Sequence, residues 1–216
     1  MTTPGPDLPR TVGRRAALLL VGLAVGAGLA VWLLRPATPG DESAEAGFAR
    51  DMATHHAQAV EMSLLIRDTA PDADLRTLAY DIIVTQGTQR GVFMGWLQAW
   101  DVPQTSNRPR MAWMPGHAHA EPAAGGGGPL MHGMATDDEM RRLREARGVE
   151  AEILFLQLMI RHHEGGVIMA RALEGLSRRA EVLDMARSID STQRAEIAAM
   201  TNMLEQRSAQ PLPSIL

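Results

Sequence analysis

The chain has 216 residues, 45% of them hydrophobic and 4% aromatic, with a formal net charge of −4 and no cysteine. The small negative charge excludes the basic field that nucleic-acid binding requires, and the missing thiols exclude disulfides, thiolate metal sites and cysteine nucleophiles. Among the 14 methionines lies the soft ligand type the sequence still offers, the thioether.

Residues 1–15 are rich in Pro and Gly, end in Gly13-Arg14-Arg15, and read as a cytoplasmic N-terminus. Residues 16–34 then give 19 positions without a charge, which at about 1.5 Å per helical residue match a bilayer core. Arg10, Arg14 and Arg15 precede the run and Arg35 follows it, an asymmetry that keeps the amino end inside. The expectation is a single-pass anchor in the cell membrane with the C-terminal domain extracytoplasmic. The alternative is a signal segment that is cleaved to release a secreted chain. Residues 35–42 form a tether.

Residues 43–101 read as a helical hairpin. One helix runs from about Ser43 to Thr69, Ala70-Pro71-Asp72 makes the turn, and a second helix runs from about Asp72 to Asp101. Gly87, Gly91 and Gly95 fall on the second helix at spacing four. Glycine weakens a helix interior, so the stripe predicts a close helix–helix contact. Residues 102–135 are rich in Met, His, Gly and Pro and predict a flexible linker. Residues 136–207 hold a short helix opened by the capping box Thr136-Asp137-Asp138-Glu139, then a second hairpin. Its helices run from about Val149 to Glu174 and, with Ser177 as N-cap, on to about Arg207. Residues 208–216 are a Pro-containing tail, expected to be loose.

The two hairpins are copies. Glu45, Phe48, Met52, His55-His56, Val60 and Met62 recur 107 residues later as Glu152, Phe155, Met159, His162-His163, Val167 and Met169. The offset continues through Ala79, Ile82, Thr85-Gln86 and Leu97 to Ala186, Ile189, Thr192-Gln193 and Leu204. The fold expected is all-α: a four-helix bundle of two duplicated antiparallel hairpins, preceded by one transmembrane helix. Fold-back at each turn brings Gln86 level with the first His pair and Gln193 to within about a turn of the second.

At about 100° per residue, Glu45, Met52 and His56 share one stripe, and Phe48, His55 and Met62 the neighbouring one. One imidazole of each pair therefore faces the bundle axis and the other its flank. Imidazole with thioether and a nearby carboxylate suits copper, as Cu(I) or Cu(II). The candidate ligands are His55, His56, His162, His163, Met52, Met62, Met159, Met169, Glu45 and Glu152. Zinc would leave the methionines idle, and iron centres in bundles use a Glu-x-x-His motif that is absent. Taken singly, each residue has a plainer reading: Met as core filler, His as a buried hydrogen-bonder, Glu as a partner of the helix dipole. Repetition of the whole set in frame favours metal. The linker adds His117, His119, Met131, His132 and Met134 as further candidates.

With these residues assembled, the chain resembles the bacterial family called domain of unknown function 305, over about residues 43–207. The likeness rests on the acid–Phe–Met–His-His–Val–Met pattern above and on Met131 to Met134, His162-His163-Glu164-Gly165 and Met169-Ala170. Thr192-Gln193 with Glu196-Ile197 and Met200 looks like the family's closing helix, which adds Glu196 as a candidate ligand. The first half carries Gln89, Arg90 and Phe93 in place of Glu196, Ile197 and Met200. The resemblance implies a ferritin-like helical bundle, secreted or membrane-anchored, in a family with copper-binding members. The function expected is an extracytoplasmic, membrane-anchored protein that sequesters copper or hands it to a delivery partner. Two alternatives stay open: a metal-dependent oxidase in the bundle, and a metal-free structural or partner-binding bundle, alone or as a homo-oligomer.

Overall fold

A computed structural model describes residues 10–34, 37–116 and 131–216 and, within the first helix, the side chains of residues 17–30. His117 and His119 lie outside the described residues. Among the described residues there are six helices and no strand: α1 Arg10–Leu34, α2 Ala44–Arg67, α3 Ala73–Ala99, α4 Asp137–Glu145, α5 Gly148–Glu174 and α6 Ala180–Gln206.

The chain divides into two compact units between Thr38 and Pro39. In the first unit α1 exposes Leu18, Leu19, Leu20 and Leu23. Among the described residues no helix is long and apolar enough to cross a membrane; the uncharged run 16–34 extends past the described side chains at both ends.

In the second unit local chemistry sets most of the helix starts. The Ser43 side chain accepts from Ala46 N, and the Asp72 carboxylate accepts from Asp74 N and Leu75 N, each satisfying donors the helix itself cannot pair. Thr136 and Glu139 form the expected capping box. Ser177 differs from expectation: α6 starts after Arg179, which has no side-chain cap bond. The Ser177 hydroxyl instead accepts from Arg179 N and donates to Glu45.

The α2–α3 and α5–α6 hairpins meet through α2 against α5, and α4 touches both of those helices. The sequence accounts for this order. Burial covers much of the circumference of α2 and α5, while α3 and α6 bury one stripe each. The apolar side chains form two separate clusters. One holds Met62, Leu75, Ile82, Phe155, Met159 and Met200; the other holds Phe48, Met52, Phe93, Met169, Val182 and Ile189. Every hairpin helix contributes to both clusters, and in each the break falls at a polar position: His55-His56, Gln86, His162-His163 or Gln193. A polar belt thus crosses the unit between two apolar cores.

Three sequence expectations are corrected. First, a Cβ added at Gly87, Gly91 or Gly95 would meet nothing within 4 Å, so that stripe faces outward and makes no helix contact here. The close approach lies elsewhere: a Cβ on Gly165 would stand 1.9 Å from the His132 carbonyl oxygen, and one on Gly133, at φ +74°, 2.2 Å from that of Arg161. Second, both ends of the linker pack. Met111, Met114 and Met131 enter the second core, Asp51 accepts from Met111 N and Trp113 Nε1, and the Gln58 amide bonds both backbone groups of Ala135. Third, the tail is tied to α5: Gln157 donates to Gln210 O, and buried Glu164 accepts from Ser214 Oγ and Ile215 N.

Candidate metal centre

The four imidazoles and the four methionines Met52, Met62, Met159 and Met169 are all fully buried. Each His pair divides its two rings between two interfaces, as the helical phase requires. His55 and His162 face each other across the α2–α5 interface, centroids 3.7 Å apart and planes 32° from parallel. The other ring of each pair turns into its own hairpin. His56 Nε2 meets Gln89 Oε1 at 2.8 Å on α3, and His163 Nε2 meets Glu196 Oε2 at 2.7 Å on α6. His55 Nε2 donates to the His132 carbonyl at 3.0 Å, so the packed linker end lies directly over the belt.

Burial, first of all, holds His55, His56 and His162 neutral. It lowers His55 to about 4 and His56 to about 3, the neighbouring imidazoles adding to the effect. His162 is pushed well below the usual histidine range by burial and then by His55, His163 and His56. Neutral imidazole is the form that ligates a metal. Five of its nitrogens here make no hydrogen bond of normal geometry: Nδ1 of His55, His56 and His163, and both nitrogens of His162. The side-chain amides of Gln86 and Gln193 and the Ser63 hydroxyl, all in or beside the belt, are buried without partners as well. An unsatisfied buried polar atom costs about 1–3 kcal/mol, so this belt is not built for stability alone.

The remaining candidates sort by place. Met52 and Met169 share one apolar cluster and Met62 and Met159 the other, so each side of the belt has one thioether from each hairpin. Met131 is buried with Met52 and Met169, and Met134 packs against that cluster. Glu196 joins the belt through His163. Glu45 and Glu152 do not. Glu45 accepts from Ser177 in the α5–α6 turn, and Glu152 accepts from Asp72 N in the α2–α3 turn and from Arg207 Nε. Each hairpin's first acid thus clasps the other hairpin's turn, far from the rings. Among the described residues no three His, Asp or Glu side chains form a group that could hold a metal ion by themselves. Gln89 is a site residue that the expected ligand set lacks, although the 107-residue offset pairs it with Glu196. Gln86 and Gln193 also belong to the belt and lie outside the expected ligand set.

The family model for Domain of unknown function (DUF305) matches residues 45–204. The chain belongs to that family. A DUF305 protein from Streptomyces coelicolor is 42% identical, with a TM-score of 0.72 over 80% of this chain and 99% of that one. A DUF305 fragment from Deinococcus radiodurans is 32% identical, with a TM-score of 0.63 over 80% and 99%. CopM in its Cu(II)-bound form is 27% identical, with a TM-score of 0.57 over 75% and 96%; its Cu(I)-bound form is similar at 25%. Comparison with curated proteins finds no match.

Proposed function

We propose that this DUF305 protein is an extracytoplasmic copper-binding protein that sequesters the ion or hands it on. The observation that carries the reading is the belt of five buried, unpartnered imidazole nitrogens, flanked on both sides by buried thioethers. His55, His56, His162 and His163 supply nitrogen ligands, and Met52, Met62, Met159 and Met169 supply sulfur. Thioether favours Cu(I), and imidazole accepts both oxidation states. CopM, a neighbour at 25–27% identity, has been seen with Cu(I) and with Cu(II) bound, which supports copper over harder ions. The two hairpins act as a four-helix bundle around the belt, and the uncharged run 16–34 holds the chain at the membrane. The Streptomyces coelicolor relative, provisionally described as secreted, supports the compartment.

Burial dictates how such a site works. The rings are inside, under the Met131–Ala135 segment, so loading requires that segment to lift or the α2–α5 interface to open. Slow exchange suits storage and protected transfer better than turnover. The test is titration of detergent-solubilised full-length chain with Cu(I) against a chromogenic competitor. Wild type takes copper from the competitor, and His56→Ala with His163→Ala takes markedly less. A wild-type chain that takes none contradicts the reading.

A further inference from the structure

Gln89 and Glu196 stand at the same place in the two halves, 107 residues apart. Each takes the Nε2 edge of the equivalent imidazole, at 2.8 Å for His56 and 2.7 Å for His163. They are not chemically equivalent. A carboxylate only accepts, so in the neutral ring of His163 the proton is fixed on Nε2 and the lone pair on Nδ1. An amide both accepts and donates, so Gln89 can turn its NH₂ toward a bare Nε2 and leaves His56 free to hold its proton on either nitrogen. Glu196 also brings a negative charge that Gln89 lacks, and its side chain is only 16% exposed, where a nearby cation is weakly screened. Nδ1 of both rings is buried with no partner, so both present the nitrogen that a ligand would use.

We infer that the two halves of the belt load unequally: His163, with its lone pair fixed at Nδ1, takes copper first, and Glu196 is the positioning residue that sets this order. This rests on the reading of the belt as a copper site. The order is built into the second hairpin alone, because the duplicated first hairpin carries an amide where the carboxylate would be. Carboxylate partners of metal-ligating histidines fix the tautomer and strengthen the donor, and their loss typically lowers metal affinity about 10–100-fold.

Four full-length proteins test this: wild type, Glu196→Gln, Gln89→Glu and the double exchange. Each is titrated with Cu(I) against the competitor and followed by ¹⁵N-histidine NMR, which the closed-shell ion permits. In wild type the expected result is two steps, with the His163 Nδ1 resonance moving before that of His56. Glu196→Gln lowers the first step about 10–100-fold. Gln89→Glu leaves the first step and raises the second by a similar factor. The double exchange restores two steps with His56 moving first. Should Glu196→Gln fail to fold, Gln89→Glu carries the test alone. Steps unchanged by either exchange, or His56 responding first in wild type, overturn the inference while leaving copper binding intact. No binding by wild type overturns both.

Discussion

His55 and His162 meet ring to ring at 3.7 Å where α2 packs on α5, two uncharged imidazoles sharing the centre of the unit. A proton on either is opposed by burial and then by the other rings. In the unfolded chain these groups titrate near 6.5, whereas His55 and His56 in the fold titrate at about 4 and about 3. The unfolded state therefore binds more protons between those values, and stability falls as pH falls. Each such histidine contributes a slope of about 1.4 kcal/mol per pH unit. The carboxylates held low by partners, Asp72, Glu139 and Glu181, lose their contribution only below the usual carboxylate values of 3.8 and 4.5. Urea unfolding of the metal-free chain between pH 7 and pH 5 should show the loss. A flat profile there means the rings are not held neutral.

Neither nitrogen of His162 makes a hydrogen bond of normal geometry, so His162→Leu gives up no more than its weak contact with the His55 backbone. Removing an unsatisfied buried polar group relieves a cost of about 1–3 kcal/mol, and the variant should melt higher than wild type without metal. It should also bind Cu(I) more weakly, since stability is here exchanged for function. Metal-free melting by calorimetry checks the sign. A large drop would mean that His162 has a structural partner.

The first-turn acids should behave as clasps. Glu152→Ala removes one of the two carboxylates on Arg207, a side chain only 7% exposed; a loss of about 2–3 kcal/mol is expected, below the range for stranding a buried charge completely. Glu45→Ala leaves the Ser177 hydroxyl without its acceptor and should cost about 1 kcal/mol. Cu(I) affinity should change in neither folded variant, because both acids lie at hairpin ends. Loss of binding in a folded Glu152→Ala protein would return Glu152 to the ligand set.

Glycine placement separates the outer face from the belt. Gly91→Ala, with open space at its Cβ, should stabilise α3 by about 0.5–1 kcal/mol. Gly165→Ala drives a methyl into the His132 carbonyl and must displace the Met131–Ala135 segment. Hydrogen exchange at Ala135 N, which Gln58 holds, should then accelerate. Equal exchange in both variants would show that the segment is not seated against Gly165.

The pattern of what the sequence revealed follows from the range of the interactions. Ser43, Asp72 and the Thr136–Glu139 box act within one helical turn, so the α2, α3 and α4 starts were legible to within a residue. In-frame repetition made the duplication and the inward His and Met stripes legible too. Phase on one helix does not name a partner on another. Glu45 and Glu152 lie on the same stripes as ligand candidates, yet their positions near helix starts put them against turns 132 and 80 residues away. Gly87, Gly91 and Gly95 have the spacing of a contact stripe but sit on the side of α3 away from α2. Composition makes the linker ends look loose, because it does not register that Asp51 and Gln58 hold them.

Whether the belt holds copper is decided by a crystal of the full-length protein loaded with the ion, with anomalous scattering recorded at the copper edge. Density is expected in the belt, within bonding reach of a nitrogen from His55, His56, His162 or His163 and of a methionine sulfur. Copper found only outside the belt, with the four rings packed as in the metal-free chain, would contradict it.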